Sequence, residues 1–180
     1  KVMDIDGFAK LYEEESTTDP NCSPSSGKAK GYYPEDNPLY MEHVNWLYTV
    51  QQIAPNTRIY TYVKGPGAGD IVAIGSTGYF REPRGGFKFC ELYNSQGKTQ
   101  IAEGLIHRVD RWNVYTDSFG SWITTYQPIT DANGHNVGAI GVDISADYVK
   151  QVRQGILVSG AIAFVLSYVL IFLLVYWFSG

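Results

Sequence analysis

Asp143 is the one carboxylate in a run of small and apolar residues, Val137-Gly-Ala-Ile-Gly-Val-Asp-Ile144. Strand alternation sets Val137, Ala139, Gly141 and Asp143 on one face, and Gly138, Ile140, Val142 and Ile144 on the other. The second face is apolar enough to pack a core. The first pairs an acid with small neighbours that leave room for something to approach the sheet, and a carboxylate there requires a cation or hydrogen-bond donors. Two fates follow for Asp143: contact with a ligand, or internal pairing and capping of the turn at Ser145–Ala146. Elsewhere the chemistry is thin. His43, His107 and His135 stand at no metal-ligand spacing, and neither His-Glu-x-x-His nor Gly-x-Ser-x-Gly occurs. Gly65–Asp70, GPGAGD, lacks the Lys-Ser/Thr that would complete a phosphate loop. Neither catalysis nor a metal or cofactor is expected.

Composition narrows the classes further. A net charge of -4 without a Lys/Arg cluster excludes a nucleic-acid partner. Fourteen Tyr, eight Phe and four Trp suit strands and an aromatic-walled pocket, or simply a core. Cys22 and Cys90 either form one disulfide, outside a reducing compartment, or remain two unrelated thiols.

The elements that position these residues follow from periodicity. Val2, Ile5, Phe8, Leu11 and Tyr12 predict a helix over 2–14. A Ser-, Thr-, Pro- and Gly-rich loop fills 15–31. Leu39, His43, Trp46, Leu47 and Val50 mark one side of a second helix, which Ala54-Pro55-Asn56 ends because proline cannot continue it. Thr57–Lys64 alternates β-branched and aromatic residues, and pairs across GPGAGD with a strand beginning at Ile71. Residues 79–113 are irregular, apart from an aromatic stretch ending at Tyr93 and a short helix near Thr99–Arg108. So long an irregular stretch between strands is expected to cover a binding site. Ser121–Ile129 and Val137–Ile144 close the domain as a hairpin around Asp131–Gly134, where Asn-Gly accepts positive φ. The fold class is α+β with an antiparallel sheet.

Tyr115-Thr116-Asp117, Trp122, Tyr126-Gln127-Pro128-Ile129, Asp131, Gly134 and Val137–Ile144 together resemble the closing half of a Cache domain, the extracytoplasmic PAS-like sensor of bacterial receptors. The resemblance is sharpest over Asn113–Val149, loose over Leu39–Ser76 and absent from the first thirty residues. It implies a PAS-like antiparallel sheet flanked by a long N-terminal helix, a small-ligand pocket on the other face, and a last strand leading to the membrane. It sets Asp143 where amino-acid-binding members hold the ligand amine, and Tyr115 at a pocket tyrosine. Asp117, Trp122 and Tyr126 complete the ligand-binding candidates, each equally able to serve structure alone. The Arg-x-Trp-Tyr run that holds the ligand carboxylate in those members is missing. Arg81, Arg84, Arg108 and Arg111 are the substitutes, and the ligand class stays open.

Gly155–Gly180 is a run of 26 residues without a charge, against roughly 20 needed to cross a bilayer as a helix. This run predicts an exit helix and transmembrane helix over 150–180 in contact with lipid, and the resemblance implies that residues 1–149 form an extracytoplasmic sensor domain. Gly155, Ser159, Ala163 and Ser167 recur every fourth residue, a stripe that lets two membrane helices pack as a homodimer. Small residues are also common in membrane helices for no such reason. Lys150 and Arg153 at the near end favour the cytoplasmic side, against the resemblance. Lys1 in place of an initiating Met predicts a processed chain or a piece of a longer one, and the resemblance implies an output module such as a histidine kinase, nucleotide cyclase, diguanylate cyclase or phosphatase after Gly180. The expected role is small-ligand sensing at the cell membrane. The alternative is an ectodomain that only dimerises or binds protein.

Overall fold

The computed structural model describes residues 3–18, 22, 30–81, 83–94, 100–117 and 120–180. In chain order these form α1 (Ile5–Thr18), β1 (Lys30–Tyr32), α2 (Pro38–Gln51), β2 (Thr57–Lys64), β3 (Ile71–Ser76), a 3-10 turn (Thr77–Phe80) and β4 (Phe89–Tyr93). Then come α3 (Gln100–Glu103), β5 (Val109–Asp117), β6 (Gly120–Thr130), β7 (Asn136–Ser145) and α4 (Ala146–Ser179). The seven strands make one antiparallel sheet in the order β1-β4-β3-β2-β7-β6-β5. Both predicted hairpins are present, and pairing of β2 with β7 joins them at the centre of the sheet.

One face of the sheet carries the two helices. Asp4 opens α1, its Oδ1 accepting the Gly7 N–H at 2.9 Å, which serves a donor that the first turn leaves orphaned. Asn37 does the same for α2, accepting from Leu39 and Tyr40 at 2.9 and 3.3 Å, with Pro38 at the first helical position where its missing N–H costs nothing. Phe8 and Leu11 of α1 and Tyr40 and Val44 of α2 pack with Val63, Val72, Ile74 and Phe89. The buried side of α2 is Tyr40, His43, Val44, Leu47 and Gln51. Of the predicted side only His43 and Leu47 are buried, while Leu39, Trp46 and Val50 lie at its margin.

The long N-terminal helix implied by the resemblance is not seen as such among the described residues: two helices of 14 residues each back the sheet. The sequence divides them, with Pro20 soon after Thr18 and Pro38 fixing a new start. A disulfide joins Cys22 to Cys90, with the Cα atoms 5.0 Å apart, and so ties the segment before β1 to β4.

The opposite face holds a second cluster: Tyr60, Tyr62, Ile71, Ala73, Phe87, Ile101, Tyr126 and Ala139. α4 leaves the sheet at Ser145 as one unbroken helix of 34 residues, long and apolar enough to cross a membrane, with none of its residues buried. The boundary expected at 149/150 falls inside this helix.

Candidate functional site

Register builds the site. Arg58 of β2 lies opposite Asp143 of β7, Asp143 opposite Thr124 of β6, and Thr124 opposite Arg111 of β5. Arg58, Asp143 and Arg111 line one cavity, of about 160 Å³, on the face away from the helices. Asp143 is only 7% exposed. Its Oδ1 accepts hydrogen bonds from Thr124 Oγ1 at 2.7 Å and from the Tyr60 hydroxyl at 3.2 Å, which offset part of the cost of burying the charge. The N-cap of α4 is Ser145, without a side-chain hydrogen bond of its own. The acid turns into the cavity and pairs there.

The next row across the same strands is Tyr60, Gly141 and Tyr126. A Cβ on Gly141 would stand 2.5 Å from the Tyr60 ring. Glycine at this position therefore lets Tyr60 lie across β7 and reach Asp143. The room that the small residues leave beside Asp143 is thus partly taken by a tyrosine of the protein itself.

The irregular stretch forms the cover. The Gly85 N–H donates to the Gly78 carbonyl at 3.1 Å, and a Cβ on Gly78 would clash with the Gly85 carbonyl oxygen at 1.5 Å. The chain after the 3-10 turn folds back only because Gly78 has no side chain. This brings Arg81, Pro83 and Phe87 over the cavity. Phe87 packs edge-on against Tyr60 and Tyr93, with centroids at 5.0 and 5.4 Å. The Tyr62 hydroxyl donates to the Ile101 carbonyl at 2.7 Å and ties α3 to the sheet.

Among the described residues the charged members of the lining are Arg58, Arg81, Arg111 and Asp143. Arg58 stacks over Trp122 and Arg111 over Tyr115, each 4.2 Å from the ring centroid. Burial, followed by the charge of Asp143, pushes the Tyr60 and Tyr115 hydroxyls above the usual tyrosine range. Burial also raises that of Tyr126. These hydroxyls stay protonated near neutral pH and serve as donors.

Of the predicted ligand-binding residues, Tyr115, Tyr126 and Asp143 come together on the cavity wall. Trp122 is buried beside it as the platform under Arg58. The side chain of Asp117 lies outside the described residues. Arg81 and Arg111 reach the cavity, whereas Arg84 pairs with Glu35 at 2.5 Å and Arg108 with Asp110 at 3.1 Å. Arg58, Tyr60 and Thr124 are site residues that the sequence reading misses. The alternation of Thr57–Lys64 puts Arg58 on the face of Tyr60, Tyr62 and Lys64, and a cation next to two aromatic side chains is the available clue. Gly155, Ser159, Ala163 and Ser167 all lie on the exposed surface of α4. No cluster of three or more metal-ligating side chains occurs among the described residues.

No family model and no curated protein sequence matches this chain. Among solved structures it is similar to the ligand-binding domain of the Campylobacter jejuni chemoreceptor Tlp3 in complex with 4-methylisoleucine, at 16% identity and a TM-score of 0.43, over 80% of this chain and 51% of that one. The sensory domain of the same receptor with isoleucine bound gives 15%, 0.42, 80% and 57%. Its complex with L-valine gives 17%, 0.41, 80% and 58%. This chain spans a little over half the length of those chains. All three are ligand-binding or sensory domains of one chemoreceptor. Likeness of this degree transfers neither a ligand nor a residue's role.

Proposed function

We propose that this chain is the small-molecule-sensing head of a transmembrane receptor, anchored by α4 and acting through an output module beyond it. The observation that carries the reading is the placement of Asp143. It stands in the wall of the cavity and two residues before Ser145, where β7 becomes the membrane helix. A ligand that binds Asp143, or competes for the hydroxyls of Thr124 and Tyr60, acts directly on the strand that carries α4. Such a ligand shifts the α4 equilibrium by as much as its affinities for the two arrangements differ. The Cys22–Cys90 disulfide supports an extracytoplasmic head, because such bonds persist in oxidising compartments. On this reading Lys150 and Arg153 stay on the head side of the membrane in spite of the charge rule. Two copies pair along Gly155, Ser159, Ala163 and Ser167. Residues 1–149 sense, 150–180 transmit, and neither part is catalytic.

Thermal unfolding of the full chain in detergent, screened against a metabolite library, tests the proposal. A ligand present at a hundred times its Kd stabilises by roughly 3 kcal/mol, enough to raise the melting temperature measurably. One chemical class should do so, and Asp143→Ala should abolish the effect. If no compound acts, or if the stabilisation survives the substitution, the pocket is not a sensor and an ectodomain that only dimerises or binds protein fits better.

A further inference from the structure

Arg84 and Arg108 are each held by a carboxylate, Glu35 and Asp110, and neither lines the cavity. Arg81 and Arg111 do line it, and among the described residues neither forms an ion pair or a side-chain hydrogen bond. That holds however Arg58 and Asp143 are partnered. The two arginines come from different elements. The Arg81 N–H donates to the Gly78 carbonyl at 3.2 Å, which sets Arg81 at the exit of the 3-10 turn, where the cover begins. Arg111 belongs to β5, the outermost strand, and its guanidinium stacks 4.2 Å from the centroid of the Tyr115 ring, itself part of the wall. Burial raises the Tyr126 hydroxyl, and the charge of Arg111 is close enough to oppose that rise. Both arginines are half-buried, so salt screens them less than fully exposed charges. Guanidinium groups pair with carboxylates through parallel N–H donors. In the same lining, Ile59, Pro83, Phe87 and Ile101 supply apolar surface. At about 160 Å³ the cavity is smaller than the roughly 300–1,000 Å³ of pockets for drug-sized ligands, so it takes a compact molecule.

We infer that the ligand is a small organic acid, its carboxylate held between Arg81 of the cover and Arg111 of β5, its compact apolar body against Ile59, Pro83, Phe87 and Ile101. This rests on the sensor reading above and names the chemistry of the same site. A carboxylate that engages both arginines ties the cover to the outermost strand, so occupancy fixes the cover against the sheet. Arg81 and Arg111 set the preference for an acid, and the apolar residues set the size of its body.

Isothermal titration of the full chain in nanodiscs of zwitterionic lipid tests this, with isobutyrate, benzoate, phenylacetate, benzyl alcohol, benzylamine and inorganic phosphate. The best of the three acids should bind at least tenfold more tightly than the alcohol, the amine or phosphate, and its affinity should fall with added salt. Arg81→Gln and Arg111→Gln should each weaken that acid at least fivefold, with Arg111→Lys recovering part of the loss. Arg108→Gln, at an arginine outside the cavity, should leave binding unchanged. The melting temperature of each unliganded variant shows that it is folded. Benzyl alcohol or benzylamine binding as tightly as the acids would overturn the anionic head, and phosphate doing so would overturn the apolar body. Acid binding indifferent to both glutamine variants of the cavity would overturn the placement. No binding by any acid, beside an Asp143-dependent compound of another class in the metabolite screen, would overturn this inference and leave the sensor reading standing. No binding by any acid and no compound in that screen would overturn both.

Discussion

His43 is a buried titratable group on the helix side of the sheet, away from the cavity. Its Nε2 lies 2.6 Å from Thr61 Oγ1, the Phe8 ring centroid is 5.4 Å away, and a Cβ on Gly75 would stand 3.0 Å from the imidazole. Burial pushes its pKa down to about 4. The folded state therefore holds a neutral imidazole where the unfolded chain, with a pKa near 6.5, would already take a proton. Stability from this group is complete above about pH 6.5 and is lost as pH falls from there towards 4, by roughly 3 kcal/mol in all. Urea unfolding of the wild type across that window should show the decline, and His43→Gln should flatten it. A wild-type profile no steeper than the variant's would mean that His43 is not buried as neutral imidazole. At this scale the sequence is half legible. Asp143 stands out as an acid among small residues, because burial of a carboxylate always demands partners. The partners do not stand out, since Arg58 and Thr124 become neighbours of Asp143 only through pairing of strands far apart in sequence.

Elements show a similar division. The hairpins β2–β3 and β6–β7 are readable from alternation and turn chemistry, including Gly134 at φ 85°. Of residues 79–113, expected as an irregular cover, Arg81, Pro83, Gly85, Gly86, Phe87 and Ile101 do line the cavity, whereas 89–93 and 109–113 are strands of the sheet itself. What escapes is β1, whose three residues are too few for a period to show, and the face of α2, which tertiary contacts turn by about one position. Two substitutions test how the elements are held. Gly141→Ala would press a methyl group into the Tyr60 ring, an overpacking worth about 1–3 kcal/mol. It should also weaken ligand binding, because Tyr60 would leave Asp143. Gly155→Ala, where no atom lies within 4 Å of the added carbon, is the matched control and should leave head stability unchanged. Removal of the disulfide with Cys22→Ser and Cys90→Ser opens a loop with a sequence separation of 68 residues. Loop entropy puts the loss at about 4 kcal/mol, measurable by denaturant unfolding. A loss close to zero would mean that the segment before β1 is held by packing alone.

For the whole molecule, the charge-free stretch from Gly155 makes the membrane helix plain from the amino acids alone, since no small domain could bury it. Less legible is how directly the head is joined to it: β7 passes into α4 at Ser145 with no intervening loop. The same strand forms one wall of the cavity, so occupancy and helix position share a mechanical element. Dimer packing belongs to this scale too. Ser159→Leu with Ala163→Leu should lower self-association of the full chain in a membrane assay, and unchanged association would remove the small-residue stripe from the account. Hydrogen exchange on the full chain in nanodiscs, with and without the compound that most stabilises it in the metabolite screen, reaches furthest. Slowed exchange in the cover at 81–94 and in the first turns of α4 at 146–150, both absent in Asp143→Ala, is the predicted result. Protection confined to other segments, or a cover that closes while α4 exchanges as before, would contradict a pocket that speaks to the membrane through β7.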